Sequence, residues 1–289
     1  MILLEMTGGL GNQMFQYSLY RKLMNLGKEV YLDTTFYRSK QELREFELNS
    51  LKVPYEELSD KHVNQLRGYG YQCSIMENVA IKMHHHRLPS YYDKIDFFQP
   101  EIFDMDNIYL RGYWQNENYF VDIKNEIKKL LLVRPLMNKK KMNIEESIKE
   151  QDNTISIHVR RGDYLNQKNQ NVYGGICTAE YYNKACEIIK QMIEKPLFVI
   201  FSDDIQWAKE NIKEKNSIFV EPIVGEGSYV DLYLMSQCRH HIIANSSYSW
   251  WGAWLTEKED TKVISPQRWL LNHEGVRIAC DRWIQIDTN

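Results

Sequence analysis

Two adjacent arginines, Arg160 and Arg161, stand in the segment HVRRGDY (158–164), directly after a short apolar pattern at 154–157. That pattern predicts a buried strand, and the carboxyl ends of parallel strands are where open α/β sheets bind ligands. Paired guanidinium groups suit a doubly charged diphosphate better than a neutral ligand, because arginine binds phosphate oxygens in a bidentate geometry. The alternative is a solvated basic turn in which a nearby aspartate pairs with one arginine.

Two further polar segments also follow predicted strands. SDD at 202–204 follows the apolar run 197–201, and NSSYSWW at 245–251 follows the run 241–244. Because each segment comes directly after a strand, all three are predicted to lie at the same edge of one sheet. Unrelated structural features would be scattered over both edges, so this shared position favours a ligand site.

These two segments carry groups suited to a nucleoside diphosphate. Asp204 or Asp203 could accept the N1–H and the exocyclic amine of guanine, although a helix N-cap explains Asp203 equally well. Hydroxyl, amide and backbone N–H groups at a predicted helix start favour an anion. They belong to Asn245, Ser246, Ser247 and Ser249. The alternative for that run is a serine-rich helix cap, and Trp250 and Trp251 are predicted to pack rather than to stack on a ligand.

An alternation of strands and helices would position these segments. Helices are predicted over about 180–194, 231–236 and 250–255, and a shorter one follows Asp204. Further strands are predicted at 217–220 and 262–265. Strands separated by helices predict a parallel, doubly wound sheet.

The first 33 residues predict a second strand–helix–strand unit. Buried strands are predicted at 2–7 and 30–33. Between them, apolar residues from Phe15 to Leu26 recur at spacings of four and three, and Gly27 is a natural helix stop.

The loop GGLGNQ (8–13) connects the first of these strands to the helix. Gly9 and Gly11 allow a ligand to approach closely, and N–H groups at the helix start favour an anion. Asn12 and Gln13 are predicted to direct amides into the same cleft. A dinucleotide-binding oxidoreductase would begin similarly, with Asp33 near the position of a ribose-binding acid, but the loop lacks the GxGxxG spacing.

Two patterns that can mark metal sites are weak here. Adjacent histidines at 84–86 point in different directions, which favours an exposed polar turn. Asp104 and Asp106 form a DxD pattern, but they lie among turn-forming residues before a strand-like run. We therefore predict no metal ligands.

Composition limits the class of protein. With 289 residues, 43% hydrophobic and 26% charged, the chain is predicted to be globular, with one large or two ordinary domains. The lysine- and glutamate-rich stretch 135–153 is the best candidate boundary, giving domains at 1–140 and 150–289. A net charge of -3 argues against nucleic acid as a partner.

The chain is expected to be cytoplasmic. Glu5 interrupts the apolar start too early for a signal peptide, and no run of about 18 apolar residues predicts a membrane span. The five cysteines form no CxxC pair, so we expect reduced thiols instead of disulfides or a zinc site.

Taken together, five strings resemble glycosyltransferase family 11, which contains the α1,2-fucosyltransferases. They are GGLGNQMFQY (8–17), GYWQNENYF (112–120), HVRRGDY (158–164), FSDD (201–204) and IIANSSYSWWGAWL (242–255). The resemblance implies an α/β, GT-B-like fold with two Rossmann-like domains facing a central cleft. In that fold the N-terminal domain is on the acceptor side and the C-terminal domain binds GDP-fucose.

The resemblance also implies an activity. The donor would be GDP-β-L-fucose, transferred with inversion and without a metal or other cofactor to the 2-hydroxyl of a terminal β-galactoside. The acceptor would be a free oligosaccharide or a lipid-linked glycan at the inner membrane surface, with peripheral membrane association in the second case. Alternatives are a fucosyltransferase of another linkage and a non-catalytic protein that binds a nucleotide sugar or glycan.

Individual residues carry over from the same resemblance. Arg160 matches the arginine that holds the β-phosphate, and His158 and Asp204 match residues that frame the guanine. Asn12 matches the asparagine that faces the reacting centre in protein O-fucosyltransferases. Two serines, Ser246 and Ser247, fall where related enzymes bind the diphosphate.

The catalytic base does not carry over. In α1,6-fucosyltransferases it is a glutamate ten residues beyond the histidine, and here that position is Lys168. Asp163 is the nearest acid to the arginines and the first choice, although it could equally orient Arg160 or Arg161. An oxocarbenium-like transition state could also proceed with weak base assistance.

Overall fold

The computed structural model describes residues 1–39, 45–71, 73–83, 87–95, 97–223, 225, 227–273 and 275–288. The chain divides into two compact units, Met1–Leu131 and Leu132–Asn289. Each unit has its own parallel sheet with helices packed on it. The predicted α/β class is confirmed.

The N-terminal unit contains a sheet whose strands are β1 (Ile2–Glu5), β2 (Val30–Asp33), β3 (Ser90–Tyr92) and β4 (Ile108–Arg111). The strand order is β2-β1-β4-β3, all parallel, with Ile2 opposite both Val30 and Ile108. The helices are α1 (Leu10–Asn25), α2 (Asp60–Arg67), α3 (Ile75–Lys82) and α4 (Lys124–Leu131). Short 3-10 helices span Thr35–Arg38, Glu47–Leu51, Pro100–Phe103, Glu117–Tyr119 and Val121–Ile123.

The predicted strand–helix–strand start is confirmed, although β1 ends at Glu5 and not at residue 7. The apolar residues Phe15, Leu19 and Leu23 of α1 are fully buried. After the helix, Gly27 has a φ of 75°, the left-handed conformation that glycine tolerates and that ends helices.

The C-terminal unit contains strands β5 (Thr154–Val159), β6 (Leu197–Ser202), β7 (Ser217–Val220), β8 (His240–Ile242), β9 (Val263–Pro266) and β10 (Ile284–Ile286). Its helices are α5 (Lys139–Lys149), α6 (Gln167–Tyr173), α7 (Ala179–Lys190), α8 (Ile205–Asn211), α9 (Tyr229–Gln237) and α10 (Ser247–Trp254), with a 3-10 turn at Asp163–Leu165. The sequence patterns predict β5 to β9 and α7 to α10, with ends shifted by a few residues, and they miss α6 and β10.

The order of the second sheet is β10-β9-β8-β5-β6-β7, all parallel. Counted from β5, this is the doubly wound order 3-2-1-4-5-6, whose direction of winding reverses between β5 and β8. On one face of β5, Ile155 and Ile157 share a core with Tyr182 of α7. The other face carries His158, whose ring lies 5.4 Å from that of Tyr248 in α10.

Aromatic packing fixes α10 in the C-terminal unit. The ring of Trp250 lies 4.9 Å from that of Trp251 and 5.6 Å from those of Trp254 and Trp283, and all four are buried. The prediction that Trp250 and Trp251 pack in the core is confirmed. In the part of the chain that the structure describes, no helix has the length and apolarity needed to cross a bilayer.

Candidate functional site

Three polar segments meet at the carboxyl edge of the second sheet. They follow β5, β6 and β8, and these strands are neighbours in the order β8-β5-β6. The predicted common edge is therefore confirmed. The Tyr164 hydroxyl donates a hydrogen bond of 2.9 Å to the Asn245 carbonyl oxygen, which joins the segments on either side of the reversal point between β5 and β8. That point is where doubly wound sheets bind ligands.

Both arginines at this edge are paired with carboxylates. Arg160 lies 2.7 Å from Asp163 and 2.8 Å from Asp203, and Arg161 lies 3.1 Å from Asp204. The sequence left open that a nearby aspartate pairs with one of the arginines; in the structure both arginines have aspartate partners. Two guanidinium groups face three carboxylates, so a dianionic ligand must compete with the carboxylates for N–H donors.

The arginine side chains nevertheless stay partly accessible, at 30% for Arg160 and 25% for Arg161. Burial opposes the charged form of Arg160, but Asp203 and Asp163 outweigh it and raise its pKa above the usual value. Arg161 also lies 4.2 Å from the ring centre of Trp207, a cation–π contact that orients its plane. Arg160 is thus held as a cation, and contacts with carboxylates or an aromatic ring fix the positions of both side chains.

Gly162 allows the pairing of Arg160 with Asp203. A Cβ atom at residue 162 would lie 2.8 Å from Oδ2 of Asp203, closer than side chains tolerate. The same carboxylate accepts a hydrogen bond of 2.8 Å from the backbone N–H of Arg161. Asp203 therefore holds both arginines through different atoms.

Asp204, not Asp203, is the N-cap of α8. Its Oδ1 accepts the Trp207 backbone N–H at 3.2 Å, and its Oδ2 accepts Nε–H of Arg161 at 3.1 Å. The N-cap explanation therefore applies to the neighbouring aspartate. Both oxygens already accept one hydrogen bond each, and a carboxylate has further lone pairs for a guanine edge.

His158 is buried under α10. Burial, followed by the nearby charge of Arg160, lowers the pKa of His158 to about 3, so the ring is neutral at physiological pH. Its Nδ1 has no hydrogen-bond partner among the described residues. The Tyr182 hydroxyl donates to its carbonyl oxygen at 3.0 Å, which anchors the end of β5.

Two serines lie where an anion site is predicted. Ser246 is the N-cap of α10 and Ser247 is the first helical residue, at the same sheet edge as the arginines. A helix N-terminus presents backbone N–H groups that favour an anion. Ser249 contradicts its predicted role, because it is fully buried and its hydroxyl donates to the Ser246 carbonyl oxygen at 3.2 Å.

The predicted ligand role of Asn245 is also wrong for its side chain. The residue is buried, and its amide donates to the carbonyl oxygens of Tyr173 at 3.1 Å and Trp269 at 3.2 Å. Cys177 donates to its Oδ1 at 3.5 Å. Asn245 therefore ties together three segments around the edge.

The loop before α1 has a different structure from the one predicted. Gly9 is the N-cap of α1 and Gly11 is buried in its first turn. Gln13 is fully buried: it donates to the carbonyl oxygens of Gly8 and Glu45, both at 3.0 Å. Its Oε1 accepts the Leu48 N–H at 3.0 Å. The prediction that the Gln13 amide points into a ligand cleft is wrong.

Asn12 is half-buried and lies against Gly8. Its Oδ1 accepts a hydrogen bond of 2.7 Å from Nε2 of Gln115, a residue that follows β4. Gly8 has a φ of 80°, and a Cβ there would lie 2.5 Å from Nδ2 of Asn12. The sequence predicts the position of Asn12 at the start of α1 but not its partner.

The sequence also misses a charged cluster at the carboxyl edge of the first sheet. Arg67 pairs with Asp33 at 2.9 Å, and both side chains are 1% exposed. The Tyr109 hydroxyl donates to Asp33 at 2.8 Å. Because Asp33 is enclosed and bonded, it is not available to bind a ribose, which contradicts the dinucleotide alternative.

The two weak metal patterns differ in outcome. Residues 84–86 lie outside the described residues. Asp106 is exposed and pairs with Lys28 at 2.9 Å. Within the described ranges, no three side chains of histidine, cysteine, aspartate or glutamate come together as a metal-binding group.

Comparison with known proteins gives a family match and full-length relatives. The model of the family described as glycosyl transferase family 11 matches residues 1–272. The chain is 30% identical to the O-antigen biosynthesis glycosyltransferase WbnK of Escherichia coli, over 97% of this chain and 99% of that protein. It is 29% identical to an alpha-1,2-colitosyltransferase of Escherichia coli, over 99% of each.

A shorter match links the chain to a human enzyme. It is 31% identical over 105 residues to galactoside alpha-(1,2)-fucosyltransferase 1 of Homo sapiens. That match covers 35% of this chain and 28% of the human protein.

Proposed function

The chain belongs to glycosyltransferase family 11, and we propose that it transfers L-fucose from GDP-β-L-fucose to the 2-hydroxyl of a terminal β-galactoside. Relatives named for α1,2 transfer, one of them to galactosides, support the linkage and the acceptor. The observation that carries the donor assignment is the meeting of Arg160, Arg161 and the start of α10 at the reversal point of the second sheet.

In this proposal the diphosphate lies at the carboxyl edge of the C-terminal unit. Guanidinium groups contact it from the β5 side, and N–H groups in the first turn of α10 contact it from the β8 side. The diphosphate takes N–H donors of Arg160 and Arg161 in competition with their aspartates. The N-terminal unit takes the acceptor.

The reaction exchanges one C–O bond for another. The acceptor 2-hydroxyl oxygen attacks the anomeric carbon of fucose from the face opposite the leaving group, and the bond to the β-phosphate oxygen breaks, leaving its electron pair on GDP. Arg160 stabilises that growing negative charge, a contact worth roughly 2.7 to 4 kcal/mol by analogy with oxyanion donors. We propose that no metal or cofactor takes part.

The hydroxyl proton needs an acceptor as the new bond forms. Asp163 is the first candidate, since its carboxylate lies 2.7 Å from Arg160 at this edge. Its contact with Arg160 equally supports an orienting role. The substitution Asp163→Asn separates the two roles, because loss of a proton acceptor lowers kcat whereas loss of orientation raises the KM for GDP-fucose.

We further propose a cytoplasmic enzyme that acts on free oligosaccharides or on lipid-linked glycans at the inner membrane surface. The O-antigen relative supports a glycan acceptor. A second candidate donor is the GDP derivative of colitose, which the 29% identical colitosyltransferase favours.

An acceptor panel tests the function. The protein is incubated with GDP-fucose and a set of β-galactosides, GDP release is measured, and the linkage of the product is determined. We expect GDP release that depends on a terminal β-galactose and an α1,2-linked fucose in the product. Tight binding of GDP-fucose without release would support the non-catalytic alternative, and another linkage would correct the acceptor position.

A further inference from the structure

Gln115 and Asn12 meet at the reversal point of the first sheet. The order β2-β1-β4-β3 places β1 and β4 side by side. From β1 the chain passes to β2 on one side, whereas β4 has its other neighbour, β3, on the opposite side. The segments after β1 and β4 therefore flank the position where parallel α/β sheets bind ligands. Asn12 belongs to the first segment and Gln115 to the second.

The segment after β4 is held from two sides. The Gln16 side chain donates to the Gly112 carbonyl oxygen at 2.8 Å, and Asp93 accepts the Trp114 backbone N–H at 2.7 Å. Gly112 has a φ of 137°, and a Cβ there would lie 2.2 Å from Cβ of Asp93. Asp93 is partly buried, and the loss of solvent around its carboxyl raises its pKa above the usual value.

The turn itself is strained. Trp114 is fully buried and has a φ of 57°, a left-handed conformation that is unfavourable for a non-glycine residue. The turn aims the next residue, Gln115, back at α1, where its Nε2 donates to Oδ1 of Asn12 at 2.7 Å. Gln16, Asp93 and the buried indole keep this direction fixed.

The contact fixes which end of the Asn12 amide faces Gln115. Because the carbonyl oxygen accepts from Gln115, the NH2 group is the end that the side chain presents elsewhere, on the side of Gly8. An NH2 group donates hydrogen bonds and therefore suits an oxygen of a substrate.

We propose that Gln115 is a positioning residue for Asn12, holding it so that its NH2 group donates to a substrate oxygen during transfer. The inference rests on the proposed function, because it needs the acceptor of that reaction to lie at this edge of the N-terminal unit. This gives a role to the segment GYWQNENYF (112–120), which is not part of the proposed donor-binding edge. The residue acts through Asn12 and does not itself touch the substrate.

A double-mutant cycle tests this coupling. Asn12→Ala, Gln115→Ala and the double variant are compared with the wild type for kcat, for KM of both substrates and for thermal stability. Since a misplaced contact group can cost up to about a hundredfold in rate, we expect Gln115→Ala to lower kcat between about tenfold and a hundredfold. In the Asn12→Ala background the same substitution should have almost no further effect.

Two more variants keep the test decisive. Gln115→Glu preserves size but offers no donor to Asn12, so it should lower kcat as Gln115→Ala does, and Gln115→His, which can donate, should recover part of the loss. Gln191→Ala, an exposed glutamine of the other unit, is the matched control and should behave as wild type.

The outcomes are distinguishable. Additive losses in the cycle, or a loss of kcat that tracks a lower melting temperature in both Gln115→Ala and Gln115→Glu, would overturn the positioning role while leaving the transferase activity intact. A wild-type protein that transfers no fucose to any β-galactoside would overturn the proposed function and this inference together.

Discussion

Nη1 of Arg160 lies 2.8 Å from Oδ2 of Asp203, and this contact joins the segment after β5 to the segment after β6. Asp203 also accepts the backbone N–H of Arg161. The carboxylate therefore orders both arginines of the candidate donor site through separate bonds. Side chains that are ordered in advance lose less entropy when they bind a ligand.

Gly162→Ala should weaken the donor site without unfolding the protein. The added Cβ would push the Asp203 carboxylate from Arg160, and a side-chain end can move at little cost to the fold. We expect the KM for GDP-fucose to rise about tenfold, equivalent to about 1.4 kcal/mol, with an unchanged melting temperature. Gly227→Ala is the control, because a Cβ there meets nothing within 4 Å. An unchanged KM would show that Asp203 does not support donor binding.

Asp163→Asn separates proton transfer from orientation. A carboxylate that accepts the proton contributes about 10²- to 10⁴-fold, so its loss should lower kcat by that factor and leave the KM for GDP-fucose nearly constant. If Asp163 only orients Arg160, the KM rises instead. Steady-state kinetics with varied GDP-fucose distinguish the two, and near-wild-type turnover removes Asp163 from the catalytic residues.

Buried histidines should make the C-terminal unit sensitive to acid. Burial, followed by the charge of His240, lowers the pKa of His241 to about 3, and its Nδ1 lies 2.8 Å from Oγ of Ser156. Below pH 6.5 this histidine takes up a proton in the unfolded chain but stays neutral in the folded chain until the pH approaches 3. The free energy of unfolding therefore falls as the pH drops toward 3, by up to about 1.4 kcal/mol per pH unit for each such histidine.

Chemical denaturation at several pH values between 7 and 4 measures this effect. His241→Asn should reduce the slope of unfolding free energy against pH, whereas His62→Asn, at an exposed position, should leave it unchanged. Equal slopes for wild type and His241→Asn would contradict the assignment.

Arg160→Ala should lower kcat by about 10²- to 10³-fold, as loss of an oxyanion donor does. Steady-state GDP release measures this change.

Removal of divalent ions should leave the transfer rate unchanged, because guanidinium groups are proposed to stabilise the negative charge of the leaving group. The measurement is GDP release with and without a chelator. Activity that disappears with chelator and returns with Mg²⁺ would contradict the metal-free mechanism.

The sequence predicts the C-terminal sheet well because β6 is an apolar run, and because the apolar residues in β5 and at 242–244 also lie directly before a polar segment. It misses β3 and β10, because each has only three residues with a polar one among them, and neither continues into an apolar run as β8 does at 242–244. These strands form through pairing with β4 and β9, which a local pattern does not contain.

The candidate site shows the same limit at the level of side chains. Asn245 and Gln13 look like ligand groups in the sequence, yet each satisfies backbone atoms distant along the chain. The pairing of Gln115 with Asn12 spans 103 residues, so no local spacing predicts it. Residue type and strand ends predict where a site lies, whereas the direction of each polar side chain depends on tertiary contacts.

The tryptophans are divided unevenly between the two units: Trp114 is in Met1–Leu131, and the other six are in Leu132–Asn289. Tryptophan fluorescence will consequently follow mainly the unfolding of the second unit. The Trp114→Phe variant would remove the only tryptophan of the first unit. Comparing its fluorescence melting curve with that of the wild type would show whether the two units unfold in one step or in two.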